Sequence, residues 1–284
     1  MIRSFLIHGS VTKSLLSCAF LPLLKSLKDP AKTDSYRAIA GSSIILKLID
    51  NVILLLWGDL LFSDSLQFGF KSDVSTTQCS WLVNEVVAHY VNEGTPVITT
   101  LLDCTKAFDK CKFAPLFKKL LDRKIPPIVV RLLIFIYREQ EAWVRWGNLK
   151  SALFTITNGT RQGSVLSPAL FAVYLDDLIQ ELRQYSLGCR FTALWIGAVA
   201  FADDLLFMAP SRSAMEKMLN ICEKYALDLN LEFSTNADPK KSKSKAIFMT
   251  GSKLRNTPKP EPLQLYGKNL PFVPNATHLG HELH

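Results

Sequence analysis

The chain has 284 residues, of which 48% are hydrophobic and 20% are charged, so it can build a sizeable core and is not a disordered chain. Its formal net charge is +8, and the segment from Pro239 onward holds +6 of this, from eight Lys or Arg against two Asp or Glu. A basic end on a near-neutral body favours a polyanionic partner, although a solvated basic tail is an equal alternative.

The first 29 residues contain a short apolar run that resembles a signal peptide. His8, Lys13 and Lys25 interrupt this run, so we expect it to be part of the mature protein. The six cysteines form no CxxC pair, which suits a reducing compartment. These features predict an intracellular protein, cytoplasmic or nuclear and not secreted. The run from Ile44 to Phe62 carries three charged residues, which favours a buried helix over a membrane span.

Periodicity and turn residues predict helices mixed with strands along the chain. Helices are expected at 43–62, 78–92, 113–122, 129–137, 213–229 and from Ser167-Pro168 onward. Strands are expected at 97–102, at 142–147 and 152–157 as a hairpin that Gly147-Asn148 indicates, as a pair around 195–208, and at 245–250. Strands and helices without a regular alternation predict an α+β fold.

Acidic residues follow or interrupt apolar strands at two places. Asp103 directly follows the strand predicted at 97–102, and Asp203-Asp204 lies between two apolar runs, as in a tight hairpin. A solvated or capping Asp103 and ordinary turn chemistry are the structural alternatives. Two adjacent acids between hydrophobic strands repel each other, unless a divalent cation lies between them and a third carboxylate. Oxygen-only ligands suit Mg²⁺ or Mn²⁺.

A second pair of acids, Asp176-Asp177, follows Tyr174 in a pattern that looks like the YxDD box of retroviral polymerases. This pair lies within the helix that begins at Ser167-Pro168. We expect both acids to lie mainly on its polar face and to bind no metal.

Three segments together carry a family resemblance. LLDCTKAFDK (101–110), NGTRQGSVLSP (158–168) and AFADDLLF (200–207) resemble, in this order, motifs A, B and C of reverse transcriptases of non-LTR (LINE-like) retrotransposons. Segments 35–53 and 65–78 resemble the family's fingers segments, with Ala38 where proline is usual and Asp73 where glycine is usual. Segments 233–249 and 276–283 resemble motifs D and E. The similarity therefore extends over nearly the whole chain.

The resemblance implies a metal site and a reaction. Asp103, Asp203 and Asp204 would be the catalytic residues and would hold two Mg²⁺ ions, with Mn²⁺ as an alternative. A primer 3′-hydroxyl would then attack the α-phosphate of a dNTP and release pyrophosphate. The implied partners are an RNA or DNA template with its primer, and dNTPs. No contact with a membrane is expected.

The resemblance also implies a set of nucleotide-binding residues. Arg37 would reach the triphosphate, and Phe108 would be the steric gate that excludes a ribose 2′-hydroxyl. The loop Arg161-Gln162-Gly163 would lie under the incoming nucleotide. Lys243 would give a proton to pyrophosphate, with Lys241 and Lys245 as alternatives. By residue type alone, Phe108 is a core residue, the loop is a plain turn and the lysines form a solvated run.

The implied architecture is a right-hand polymerase whose antiparallel palm sheet is backed by helices. Residues 1–97 and 110–157 would form the fingers, 98–109 the palm strand with motif A, and 158–284 the rest of the palm. The thumb is expected to be absent, together with the flanking domains of a longer polyprotein. Two other functions stay open: an inactive relic that only binds nucleic acid, and another metal-dependent phosphotransferase such as a nuclease.

Overall fold

The computed structural model describes residues 1–25, 29–161, 163–236, 238, 242–251, 254 and 257–283. Internal contacts divide the chain into two compact units. The first unit comprises Met1–Phe62 and Phe108–Tyr174, and the second comprises Ser63–Ala107 and Leu175–His284. The assignment of stretches of chain to fingers and palm stays a prediction.

Helices and short strands are mixed along the chain, as the sequence predicts. The helices are α1 (Ile2–His8), α2 (Lys13–Leu16), α3 (Ile44–Trp57), α4 (Thr76–Asn92), α5 (Ala107–Lys110), α6 (Phe113–Asp122), α7 (Pro127–Arg138), α8 (Ser167–Gln184) and α9 (Arg212–Leu229). The strands are β1 (Ser17–Leu24), β2 (Tyr36–Gly41), β3 (Val97–Asp103), β4 (Glu141–Trp146), β5 (Leu149–Lys150), β6 (Phe154–Thr155), β7 (Arg190–Phe191), β8 (Leu194–Trp195), β9 (Ala198–Phe201), β10 (Asp204–Ala209), β11 (Lys245–Met249), β12 (Leu263–Leu265), β13 (Lys268–Leu270), β14 (Ala276–His278) and β15 (His281–Leu283).

The second unit is built around a four-stranded sheet with the order β11-β3-β10-β9. All neighbouring strands in it are antiparallel, which confirms the predicted antiparallel sheet. β3 has a partner on each side, and its first four residues are buried. The buried hydroxyls of Thr99 and Thr100 each contact a methionine sulfur, that of Met249 and that of Met215 respectively. A β-branched run of this kind suits a central, covered strand.

The chain that follows α9 returns to the end of β3. α9 stops at Asn230, which adopts the left-handed conformation with φ of 60°. The backbone N–H of Thr105 donates to the Glu232 carbonyl at 2.8 Å, and the N–H of Ser234 donates to the Asp103 carbonyl at 2.9 Å. The end of α9 therefore sets the position of the segment that fixes the backbone at Asp103.

The first unit contains a mixed sheet with the order β2-β1-β4-β5, in which β6 also pairs with β4. The sequence did not predict β1 or β2. β1 is antiparallel to β2 and parallel to β4, and the pairing with β4 covers only Ser17 to Phe20. Pro22 lies beyond that pairing, at the edge of the sheet, where a proline without an N–H is tolerated. A proline and the lack of alternating polarity conceal this strand in the sequence.

The predicted hairpin at 142–157 forms, but its returning strand is divided into two short pieces. Gly147, with φ of 58°, and Asn148 make a two-residue turn, so Trp146 pairs with Leu149. The returning strand β5 is only two residues long, and the chain meets β4 again as β6. The Gly-Asn turn is therefore confirmed, and the strand predicted at 152–157 is present but shorter, as Phe154–Thr155.

The apolar run at 43–62 forms α3, which ends at Trp57 and continues as a 3₁₀ turn over Gly58–Leu61. The Ser43 hydroxyl caps the helix by accepting the Ile45 N–H. Within the described part of the chain, no helix combines the length and the apolar character needed to cross a membrane.

The end of α9 provides a test of how the left-handed residue contributes to stability. We expect Asn230→Ala to lower the free energy of unfolding by about 1 kcal/mol, because alanine lacks the side chain that makes the left-handed conformation tolerable. Asn230→Gly should preserve or slightly raise it. Urea denaturation measures both changes.

Asn220→Ala is the matched control, because Asn220 lies on the exposed face of the same helix. Alanine there should be neutral or slightly stabilising. An Asn230→Ala variant as stable as the Asn220→Ala variant would contradict this account.

Candidate active site

The pairing of β3 with β10 brings the predicted metal-binding acids to one end of the sheet. Asp103 and Asp204 are direct partners across the antiparallel ladder. Asp203 lies beside Asp204 in the two-residue turn between β9 and β10, a turn that is closed by the pairing of Phe201 with Asp204. The acids are about 100 residues apart in sequence, and the register alone brings them together. Their role as metal ligands stays a prediction.

The turn that carries Asp203 contains a left-handed residue that is not glycine. Ala202, the first of the two turn residues, has φ of 58°. Glycine is the usual residue where only the first turn position has a positive φ. Holding an L-residue in this conformation costs about 1 kcal/mol, so surrounding contacts have to stabilise it.

The acids repel one another electrostatically. The pKa of Asp204 is raised to about 6, first by loss of solvation and then by the charges of Asp203 and Asp103. The charge of Lys243 acts in the opposite direction. The Lys243 Nζ lies 3.3 Å from Asp103 Oδ2. The predicted motif D lysine is thus next to the predicted motif A acid, whereas Lys241 lies outside the described residues.

Both backbone polar groups of Asp103 have fixed partners. Its N–H donates to the Ser244 hydroxyl at 3.1 Å, and its carbonyl accepts the Ser234 N–H. Ser244 is fully buried, and its carbonyl accepts the Ser242 hydroxyl. The sequence did not predict a role for Ser244, because a serine in a lysine-rich run looks like part of a solvated loop.

The donor set at this end of the sheet fits a hard divalent cation. Three carboxylates supply only oxygen ligands, the preference of Mg²⁺ and Mn²⁺. A divalent cation would also relieve the repulsion among the acids, which adds to the effect of burial on the pKa of Asp204. As the side chains stand, no group of three or more His, Cys, Asp or Glu among the described residues has the arrangement to hold a metal. The fit therefore rests on the chemistry of the donors.

In the first unit, the predicted nucleotide-binding residue Arg161 is buried in an ion pair. Its Nη2 lies 3.7 Å from Asp50 Oδ1, and both side chains are less than 5% exposed. Asp50 also accepts the Ser164 hydroxyl and the backbone amides of Val165 and Leu166. Burial raises the pKa of Asp50, and Arg161 opposes that shift. One carboxylate of α3 therefore contacts Arg161, Ser164, Val165 and Leu166.

The sequence did not predict a role for Asp50. Its signal was a lone acid among the apolar residues of α3, because a carboxylate on a buried helix face needs a partner.

Gly163 of the same loop is required by a close backbone contact. It has φ of 102°, and a Cβ atom there would lie 2.8 Å from the carbonyl oxygen of Ala40. This close backbone contact is made to strand β2. Gln162 lies outside the described residues.

The predicted steric gate, Phe108, is half-buried and packs against another aromatic ring. Its ring stacks on Phe171 with the centroids 4.2 Å apart. The Phe108 carbonyl accepts the N–H of Thr160, in the loop that Asp50 anchors. Arg37 is exposed on β2, opposite Leu23. The roles of Phe108 and Arg37 in nucleotide binding stay predictions.

The two acids of α8 differ in their exposure to solvent. Asp177 is exposed, as predicted, but Asp176 is only 1% exposed, so its predicted place on the polar face is wrong. The Asp176 carboxylate accepts the backbone N–H of Asp64 and the Gln180 amide. The partner at Asp64 lies 112 residues away in sequence, and helical periodicity cannot reveal it.

Asp73, which lies where glycine is usual in the family, adopts the left-handed conformation, with φ of 61°. This conformation explains why the resemblance places glycine there. Aspartate is one of the few other residues that tolerates it.

Comparison with known proteins supports the resemblance to reverse transcriptases that the sequence motifs indicate. Residues 27–253 match the family model described as reverse transcriptase (RNA-dependent DNA polymerase). The chain is 23% identical over 88% of its length to a Pol polyprotein from the retrotransposable element R2 of Nasonia vitripennis, and 26% identical over 82% to the RNA-directed DNA polymerase from mobile element jockey of Drosophila melanogaster. These matches cover 24% and 26% of the two relatives. The chain thus spans about a quarter of the length of the curated relatives it matches.

Solved structures of telomerase from Candida tropicalis share the fold. One, a complex with a fragment of telomeric RNA, is 10% identical with a TM-score of 0.57, and the match covers 91% of this chain and 44% of that one. An apo form is 12% identical with a TM-score of 0.56, over 90% and 53% of the two chains. At this identity the likeness concerns the fold alone, and it confirms the predicted α+β polymerase class. The family match spans most of the chain, so the chain belongs to the reverse transcriptase family, and its curated relatives place it among those of non-LTR retrotransposons.

Proposed function

We propose that this chain is the catalytic core of an RNA-directed DNA polymerase that adds dNTPs to a primer 3′-hydroxyl by two-metal catalysis. The observation that carries the proposal is the register of β3 against β10, which sets Asp103 opposite Asp204 in a chain of this family. The proposed partners are an RNA or DNA template with its primer, and dNTPs.

The acids at the end of the sheet have distinct tasks in this proposal. Asp103, Asp203 and Asp204 would hold two Mg²⁺ ions, which when bound lower the pKa of the attacking hydroxyl and steady the leaving oxygen. Lys243, with its Nζ beside Asp103, is placed among these acids. Its ammonium group would give a proton to the pyrophosphate oxygen.

The nucleotide-binding residues divide into two groups by exposure. Arg37 is exposed and would bind the triphosphate directly. Arg161 is buried, so we assign it to the support of the loop at 159–164, with Asp50 as its partner. The half-buried ring of Phe108, backed by Phe171, would be stiff enough to reject a ribose 2′-hydroxyl.

Asp203→Asn tests the catalytic proposal. We expect it to lower primer extension in Mg²⁺ by at least about a hundredfold, because an amide is a poor ligand for a hard cation. Binding of a primed template should persist. Extension assays and binding assays on the full chain measure the two effects.

Asp177→Asn is the matched control, because Asp177 is an exposed acid on α8, and it should leave extension unchanged. Extension by the Asp203→Asn variant at the unsubstituted rate would contradict the proposal. An unsubstituted chain that binds a primed template but never extends it would favour the inactive relic instead.

The raised pKa of Asp204, caused first by burial and then by the neighbouring acids, predicts a pH-dependent stability in the absence of metal. The pKa of Asp204 is about 6 in the folded chain, whereas its reference value, which we use for the unfolded chain, is 3.8. The folded chain therefore holds this proton more tightly than the unfolded chain. Stability is therefore lost as pH rises from about 4 to about 6 and stays lower above that range. Asp204→Asn should remove this loss of stability and raise the free energy of unfolding at pH 8 by about 1 kcal/mol. The gain is small because solvent screens the charge of a side chain that is partly exposed.

Denaturant titrations in a chelator at pH 4 and pH 8 measure this difference. The gain should disappear at pH 4, and Asp177→Asn should show no gain at either pH. An Asp204→Asn variant no more stable than the unsubstituted chain at pH 8 would show that neither the burial of the Asp204 charge nor its repulsion by the other acids lowers the stability of the fold.

Phe108→Val tests the choice of sugar. A smaller side chain should admit the 2′-hydroxyl and raise the ratio of ribonucleotide to deoxynucleotide kcat/KM by about tenfold or more. Phe113→Val is the matched control, because Phe113 is a partly buried phenylalanine outside the nucleotide motifs. A ratio that does not change with Phe108→Val, or that changes equally with Phe113→Val, would leave Phe108 as a core residue only.

A further inference from the structure

A short segment before α4 adds to the edge of the sheet that carries the acids. The N–H of Phe68 donates to the Ala200 carbonyl at 2.7 Å, and the Ala200 N–H donates to the Leu66 carbonyl at 2.8 Å. Gln67 thereby forms a parallel bridge to Ala200 of β9. The segment Leu66–Gly69 therefore lies beside the strand that leads into the turn with Asp203.

The side chain of Gln67 binds the backbone of that turn. Its Oε1 accepts the N–H of Ala202 at 3.0 Å, and its Nε2 donates to the Ala202 carbonyl at 3.3 Å. The same Oε1 accepts the N–H of Gly69 at 2.9 Å, which fixes the orientation of the amide group. The side chain is buried, so water cannot replace these bonds easily.

The approach of the two segments is too close for any other residue at position 69. A Cβ atom on Gly69 would lie 2.2 Å from the backbone nitrogen of Ala202. The bonds from Gln67 therefore act on a turn that is also confined sterically.

Gln67 is itself held by charged residues of the same unit. Asp64 accepts the N–H of Leu66 at 2.9 Å and forms a salt bridge with Arg183 at 2.5 Å. The buried Asp176 accepts the N–H of Asp64, and the Lys71 ammonium donates to the Asp64 carbonyl. This network explains the burial of Asp176, which binds no substrate in the proposed mechanism.

We infer that Gln67 is a positioning residue, which holds Ala202 in its left-handed conformation and thereby fixes Asp203 and Asp204. The inference rests on the proposed function for its effect on catalysis. Its structural part, the restraint of Ala202, holds in the metal-free chain whether or not the chain extends primers. A misplacement of about 1 Å at a catalytic group can cost about a hundredfold in rate, so a restraint on this turn would act mainly on kcat.

The first measurement is amide hydrogen exchange in the metal-free full chain. Gln67→Met preserves length and burial but removes all three hydrogen bonds, so the Ala202 amide should exchange at least about tenfold faster. Amides of β3, such as that of Thr100, should keep their protection. An Ala202 amide that keeps its exchange rate in the Gln67→Met variant would overturn the inference, even for an inactive chain.

The second measurement is steady-state extension of a primed template. Gln67→Met should lower kcat by about tenfold to a hundredfold, with the KM for dNTP changed by less than about twofold. Gln140→Met is the matched control, because Gln140 is also buried but its amide has no hydrogen-bond partner among the described residues. It should change neither kcat nor the exchange of Ala202. An equal fall of kcat in both variants would overturn the inference.

Two more variants keep the test decisive if Gln67→Met does not fold. Gln67→Glu retains the acceptor for the Ala202 and Gly69 amides but replaces the donor with an oxygen that faces the Ala202 carbonyl, so its kcat and amide protection should fall below those of the unsubstituted chain. Ala202→Gly should recover part of the kcat of the Gln67→Glu variant, because glycine adopts a positive φ without help. A Gln67→Glu variant equal to the unsubstituted chain in both readouts, or no recovery with glycine, would contradict the inference.

If the unsubstituted chain extends no primer, the exchange results still show whether Gln67 restrains Ala202, and only the proposed function fails.

Discussion

The pairing of Asp103 with Asp204 across β3 and β10 is the interaction on which the candidate site depends. Side chains alternate between the faces of a strand, so a slip of one residue would turn the Asp204 side chain to the other face. The register is set by buried residues along both strands and not by the acids, which repel each other. Hydrophobic packing thus forces together charges that would otherwise separate.

The backbone around these acids is fixed by side chains that the proposed reaction does not use. Ser244 binds the N–H of Asp103, and Gln67 binds both polar groups of Ala202. Asp50 does the same for the loop at 161–166 in the other unit. In each case a buried polar side chain forms hydrogen bonds with backbone groups that have no hydrogen-bond partner within a strand or helix. Because these hydrogen bonds are made to the backbone beside the acids, they restrict the carboxylate side chains only slightly.

The sequence predicted the elements whose signals are local. The helix at 113–122 follows from its periodicity, the Ser167-Pro168 pair marks the start of α8, and the β-branched run at 97–102 marks β3. β1 was missed because its partners lie 12 or more residues away and because Pro22 conceals it. The contacts of Asp50 with Ser164, of Gln67 with Ala202 and of Asp176 with Asp64 were missed for the same reason, since each joins residues more than 100 positions apart in sequence.

The two pairs of adjacent acids show why a motif alone does not identify a metal site. Asp176 and Asp204 both lie in an Asp-Asp pair, yet Asp176 has a backbone amide and Gln180 as partners, whereas Asp204 faces two other carboxylates. An acid whose hydrogen bonds are satisfied inside the protein gains little from a cation. An acid whose neighbours raise its pKa gains from any cation that neutralises them. The environment of each carboxylate, and not the spacing of the pair, therefore separates a structural acid from a candidate metal ligand.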